Sequence, residues 1–460
     1  MALISPSGIT TMDDARRHRR WALGVLVVVY VFNFIDRQVL SILQEDIRKD
    51  LGLSDLQLGM LTGLSFAAVY CTFGIPVARI ADSTSRKGVI AVSLALWSGF
   101  TALCGLAGNF WHLFLARLGV GLGEAGGSPP AHALISDLYE KEKRGTALAI
   151  YSVGLYIGTF LGFALGGILA EGLDWRQAFF VVGLPGVIFA VIVWTTVREP
   201  IRGLSGTPTN TSVTFWQSAK KLWKVTSFRY YALAAGAGLF ITYGLGNFMP
   251  SFLVRTYGQW SMPELHRALG ICGDDCTAMS TSEIGLVYGM VAGLAGAIGT
   301  LAGGLLADRW GAKDRRWFLW IPMWGKLTGG PLFVASMFAP SAELSLLLYF
   351  PAIGLAAMYL GPSVAITHNL VPPGMRAMAS AVFFFIINMV GLGLGPTLLG
   401  ATSDWFREHA GAGEHSLQWA CVAVVVAMYP LSILWHLGAR KLPKGRIGDD
   451  GEQELAETFA

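Results

Sequence analysis

Five side chains able to do chemistry sit where an apolar chain should carry none. Asn33, Asp36 and Arg37 lie inside the apolar run Trp21 to Leu43, and Arg117 and Glu124 lie inside another at 111–136. An ionised side chain at the centre of a membrane helix costs about 2.5–3.5 kcal/mol on insertion scales, so such residues persist where they pair or face water. Asn33 precedes Asp36 by three positions and Arg37 by four, which places it beside both on a helix surface. Arg117, Gly121 and Glu124 are spaced by four and three and share one helix face. Carboxylates exchange protons, and burial or a neighbouring arginine tunes them in opposite senses. An arginine fork grips two oxygens of an anion at once. The set therefore reads as two proton-coupling carboxylates, Asp36 and Glu124, with Asn33, Arg37 and Arg117 as ligands for an anion, all facing an aqueous path.

Such a path needs walls. The 460 residues are 53% hydrophobic and 14% charged, with a mean hydropathy of +0.52. Soluble chains carry about 25% charged residues, so this composition is that of an all-α, polytopic membrane protein. Apolar runs long enough to span a bilayer recur about twelve times. They lie near 21–43, 55–80, 88–108, 111–136, 144–170, 176–197, 229–256, 281–306, 316–338, 343–369, 375–401 and 417–438. The expected organisation is a cytoplasmic segment at 1–20, a six-helix bundle at 21–197, a linker at 198–228, a second bundle at 229–438 and a tail at 439–460. With the N-terminus inside, the cytoplasmic segments hold most of the 34 Lys and Arg, while the external ones hold Arg48, Lys49, Arg176, Arg255, Arg267 and Arg407. That bias places both termini in the cytoplasm. Arg16, Arg17, Arg19 and Arg20 run directly into a full-length span, which reads as a signal anchor that stays.

Within the linker, Phe215, Trp216, Leu222 and Trp223 interleave with Lys220, Lys221 and Lys224, the pattern of a short helix lying in the membrane interface. The acidic tail after Lys444 reads as disordered. Cys71, Cys104 and Cys421 fall within spans as small apolar fillers. Cys272 and Cys276 fall in a polar external loop, where an oxidising compartment would allow them to pair or to stay apart.

The two halves echo one another. Gly304–Lys313 (G-L-L-A-D-R-W-G-A-K) answers Ala78–Lys87 (A-R-I-A-D-S-T-S-R-K). Pro130 with Arg144 answers Pro362 with Arg376, Gly158, Gly162 and Gly167 answer Gly391, Gly395 and Gly400, and Asp174-Trp175 answers Asp404-Trp405. Two repeated six-helix halves make a transporter that rocks around a midplane site.

These anchors resemble the major facilitator superfamily over nearly the whole chain. Asp82 and Arg86, with Asp308 and Arg309 in the second copy, are similar to the family's loop motif after the second helix of each half. The resemblance implies a cytoplasmic gate in which Asp82 docks on the N-terminus of a helix of the other half. Here Ala78, Ser83 and Ser85 replace residues usual in that motif. Gly158 to Gly167 resembles the fifth-helix glycine motif, with Thr159 where Pro is usual. Asp36-Arg37, then Arg117 with Gly121-Leu-Gly-Glu-Ala125, then Asn388-Met-Val-Gly391-Leu-Gly-Leu-Gly395-Pro396, looks like the Spinster branch. That resemblance implies proton-coupled export of amphipathic lipids such as sphingolipid phosphates or lysophospholipids.

The second half offers Tyr243 and Asn247, and Tyr359 and Ser363 with Thr367, as further substrate contacts or as helix-packing glue. Lys326 stands alone in the ninth span without an assigned role. His132 and His368, near helix ends, read as caps, with pH sensing as the alternative. Walker A, G-x-S-x-G and H-E-x-x-H sequences are absent, so no enzyme, no ATP-driven pump and no cofactor are expected. The expected partners are membrane lipids, an amphipathic anionic substrate and protons, with no nucleic acid, for a monomer in a bacterial inner membrane. A carrier of small organic anions or drugs is the alternative.

Overall fold

The computed structural model describes residues 8–202, 204, 215–258, 280–372 and 375–442. Cys272, Cys276 and the tail beyond 442 lie outside the described residues. Ten helices are long and apolar enough to cross a membrane, and no strand occurs among the described residues. The chain divides into two compact units. One comprises Met1–Leu53 and Ser65–Asn210, the other Ser54–Leu64 and Thr211–Ala460.

The first unit is built on α1 (Met12–Leu51), which starts where the Thr11 side chain accepts from the Asp14 N–H and stops at Gly52, whose φ of 64° is left-handed. After α2 (Asp55–Ser83) come α3 (Arg86–Cys104), α4 (Phe110–Glu124), α5 (Ser128–Leu138), α6 (Lys141–Gly172) and α7 (Trp175–Thr196). Every fourth residue of α6 from Gly154 to Gly166 is glycine, and this stripe rests against α1. A Cβ on Gly158 would fall 2.6 Å from the Val31 carbonyl oxygen, so only glycine permits this approach. The fourth span is not one helix. Gly126-Gly127 interrupts it, and Pro129-Pro130 begins a new one, because proline suits a helix's first turn and breaks its interior. Glu124 therefore ends a helix instead of sitting mid-span.

The second unit begins with α8 (Phe215–Lys224) and continues through α9 (Thr226–Tyr257), α10 (Thr281–Gly311), α11 (Trp317–Met337), α12 (Ala342–Asn369), α13 (Met378–His409) and α14 (Gly413–Arg440). On α8, Phe215 and Leu222 are buried, Phe215 edge-on to Phe385, while Trp216 and Trp223 stay exposed. The α13 glycines repeat the first unit's device: Cβ atoms on Gly391 and Gly395 would strike Leu239 and the Phe240 carbonyl of α9. Among the described residues, α11 and the α4–α5 pair add two further helical segments to the ten membrane-length helices.

The start of α2 belongs to the second unit. Asp55 is fully buried, bonded to Arg255 at 2.6 and 2.9 Å and also to Arg407, with Ser403 donating to it at 2.7 Å. Asp404 accepts from the Asp55 and Leu56 backbone N–H groups, capping α2. The repeat breaks down here: Asp174 precedes the helix α7, whereas Asp404 lies within α13.

Candidate functional site

The charged residues expected to act together converge inside the first unit, with different pairings from those the sequence suggests. Neighbouring positions on a helix point about 100° apart. Asp36 and Arg37 accordingly address different partners. Asp36 faces α3, where the Thr101 hydroxyl donates to its Oδ2 at 3.2 Å. Arg37 faces α4, and its Nε and Nη2 both donate to Glu124 Oε2 at 2.6 Å. Asn33, one turn earlier on α1, interacts with the same Glu124. Arg117 is buried within electrostatic reach of both Asp36 and Glu124. Two acids and two arginines thus form one cluster with a formal charge of zero.

The expected aqueous path needs correcting at this point. Asp36 and Glu124 do not line open space: their side chains are fully buried, and only Arg37, 13% exposed, reaches an accessible face. Glu124 sits behind Arg37. Three aromatic rings frame that guanidinium, Phe66 at 4.5 Å, Phe34 at 5.0 Å and Tyr70 at 5.1 Å from its carbon. The Phe66 ring also lies 5.7 Å from the Arg117 guanidinium carbon. Such ring faces attract a cation and shield it from water. Sequence reasoning missed Thr101 and this aromatic frame. Phe66 and Tyr70 are four apart on α2 and share a face, a signal hidden by the abundance of aromatics in apolar spans.

Some acceptors in this cluster lack donors. Asn33 Oδ1, Asp36 Oδ1 and Glu124 Oε1 are buried with no hydrogen-bond partner among the described residues. Buried acceptors of this kind are rare and call for a proton or a water.

The second unit's candidates divide. Tyr243 and Asn247 are half-buried on α9, and the Asn247 amide donates to the Tyr243 carbonyl at 2.9 Å. Ser363 is fully buried and its hydroxyl donates one turn back along its own helix to the Tyr359 carbonyl at 2.6 Å, so it presents no free donor to a substrate. Thr367 likewise donates to the Ser363 carbonyl and bonds the Tyr231 hydroxyl. The Tyr359 ring lies 5.3 Å from Lys326 Nζ.

The loop motif is also redistributed. Arg86 is buried and paired with Asp137 of α5, and Glu199 accepts from its backbone N–H at 2.7 Å. Asp82, Asp308 and Arg309 are exposed, and their side chains make no hydrogen bond or ion pair among the described residues. The ion pair of this turn is thus made by Arg86, not Asp82. His132 lies edge-on to Tyr151, and His368, in the last turn of α12, bonds Ser380 Oγ through Nε2 at 2.6 Å.

Comparison with known proteins identifies the family. The profile of the Major Facilitator Superfamily matches residues 26–273. An MFS-type efflux pump of Mycolicibacterium smegmatis is 33% identical over 444 residues, 95% of this chain and 97% of that one. The sphingosine-1-phosphate transporter SPNS2 of Danio rerio is 26% identical, over 85% of this chain and 78% of its own. Among solved structures, a bacterial homolog of the human lysosomal transporter Spinster, crystallised inward-facing and unoccupied, superposes with a TM-score of 0.78 at 28% identity. That match covers 92% of this chain and 97% of the other. The chain is a multi-pass membrane protein of the major facilitator superfamily, in its Spinster-like branch, a family of transporters and not of enzymes.

Proposed function

We propose that this transporter is proton-coupled and moves an amphipathic anionic lipid, of the lysophospholipid or sphingolipid-phosphate class, by alternating access. In this reading it works as a monomer in a bacterial inner membrane with both termini cytoplasmic. The observation that carries the reading is the buried cluster itself. Asp36 and Glu124 each have an oxygen with no donor, and the four charges sum to zero. A proton on Glu124 neutralises the carboxylate at its unpartnered oxygen and loosens its hold on Arg37. The cluster then carries one positive charge, and Arg37, the one member in contact with accessible space, is free to grip a phosphate or carboxylate. Proton and anion binding are then linked positively, each strengthening the other by the same factor. The aromatic frame of Phe34, Phe66 and Tyr70 supports an apolar group next to that anion. The likeness to a sphingosine-1-phosphate transporter supports the lipid class.

A second reading, export of small organic anions or drugs, is favoured by the 33% identity to an efflux pump. Thermal unfolding of the purified protein against a ligand panel separates the two. Lysophosphatidate and sphingosine phosphate are expected to raise the midpoint, and more at pH 5.5 than at pH 8. Stabilisation by short organic acids alone would transfer the assignment to the second reading.

A further inference from the structure

The second unit carries an outward face that the mechanism above does not use. Val225 alone joins α8 to α9, so α8 lies where a spanning helix meets the membrane boundary. Successive helix positions turn by about 100°. Phe215, Ser218 and Leu222 fall on one side of α8 and are buried, with Phe215 edge-on to Phe385 of α13. Trp216, Lys220, Trp223 and Lys224 fall on the other side, within about 100° of arc. All four are exposed, Trp216 at 76% and Trp223 at 46%.

Packing at the start of α9 brings a second pair of cations to the same end of the unit. The rings of Trp435 on α14 and Tyr231 on α9 stack at 6.3 Å. A Cβ on Gly438 would fall 3.3 Å from the Ser227 carbonyl oxygen and 3.4 Å from Tyr230 Cβ. Arg440 and Lys441 follow within one turn and are exposed. Among the described residues, the side chains of Lys220, Lys224, Arg440 and Lys441 make no ion pair. No Asp or Glu occurs at 215–230 or 433–442.

An exposed indole is best placed between water and hydrocarbon, its apolar body towards acyl chains and its N–H towards headgroups. A lysine stem follows the same boundary while its ammonium reaches outward. We propose that this face docks on anionic phospholipid of the leaflet it meets, with Trp216 and Trp223 seated below the headgroups and Lys220, Lys224, Arg440 and Lys441 on their phosphates. Charge sets the partner, since four cations without a local carboxylate favour a headgroup with net negative charge over a zwitterionic one. A basic residue held at an anionic surface strengthens binding by about fivefold. Phe215 and Leu222 fix α8 on its own unit, so the surface stands whichever ligand is carried.

The test uses the full chain in nanodiscs and quenching of tryptophan fluorescence by lipids brominated on the acyl chain. The share due to Trp216 and Trp223 is the difference between wild type and Trp216→Phe/Trp223→Phe. Brominated phosphatidylglycerol, diluted in unlabelled phosphatidylcholine, should quench that share at least twofold more than brominated phosphatidylcholine at the same mole fraction. The excess should vanish at 1 M salt, where the screening length falls to about 3 Å. It should also vanish in Lys220→Gln/Lys224→Gln/Arg440→Gln/Lys441→Gln, whose unfolding midpoint should match wild type because all four sites are exposed. Lys220→Arg/Lys224→Arg should keep it. Equal quenching by the two lipids would overturn the proposal and leave an interfacial helix without charge preference. An excess that survives in the glutamine variant would overturn it too. No quenching by either lipid would overturn it and assign the face to a protein segment, such as the acidic stretch at 449–457.

Discussion

A one-residue difference in register decides the chemistry of this protein. Asp36 and Arg37 are adjacent in sequence, yet the helix turns them toward α3 and α4, and each finds its partner far along the chain. Arg37 and Glu124 are 87 positions apart, so their pairing depends on how α1 and α4 are rotated against each other, which hydropathy does not encode. What the sequence does carry is the rarity of charge in these spans, enough to nominate all four cluster members by residue type. Breaking such a pair from one side strands a buried charge. Arg37→Met is expected to destabilise the protein by about 3–5 kcal/mol, the range for a buried pair that loses one partner, whereas Arg37→Met with Glu124→Leu should recover most of that while transport stays lost. Thermal unfolding of the single and double variants reads this out. A double variant no more stable than the single would mean that Arg37 acts through packing alone.

Glycine is the material from which the helices are fitted together, and its spacing is the most readable part of the fold. The four-residue stripe on α6 and its counterpart on α13 can be picked out by eye in the sequence, the first resting on α1 and the second on α9. Gly158→Leu is expected to push α6 from α1 and cost about 1–3 kcal/mol or more, as overpacking of a tight interface does, with the midpoint of thermal unfolding as the measure. Gly172→Leu, at the end of the same helix with open space around it, should leave the midpoint nearly unchanged and serves as the control. The breaks are less readable. Gly126-Gly127-Ser128-Pro129-Pro130 is a strong helix interruption, but it is short and lies within an apolar run, so a length-based reading passes over it. The allegiance of Ser54–Leu64 to the second unit is not written locally at all, since it rests on Arg255, Ser403 and Arg407 closing around Asp55 from some 200 to 352 positions away.

At the scale of the whole chain, the repeated halves share a scaffold and differ in charge. The first unit gathers two acids and two arginines in one cluster, while the matching helices of the second offer Tyr243, Asn247 and Tyr359 and one lysine among apolar neighbours. The scaffold was readable because it repeats, and the division of labour because charge is scarce. Which acid faces solvent was not, because exposure depends on what stands in front of it: here Arg37 stands in front of Glu124. The central claim is that a proton on this buried cluster governs its hold on an anion. Uptake of oleoyl lysophosphatidate into proteoliposomes under an imposed pH gradient tests it most directly. Wild type should respond to the gradient, while Glu124→Gln should keep substrate exchange at equal pH and lose the response. Gradient-driven flux unchanged in both Glu124→Gln and Asp36→Asn would contradict the account.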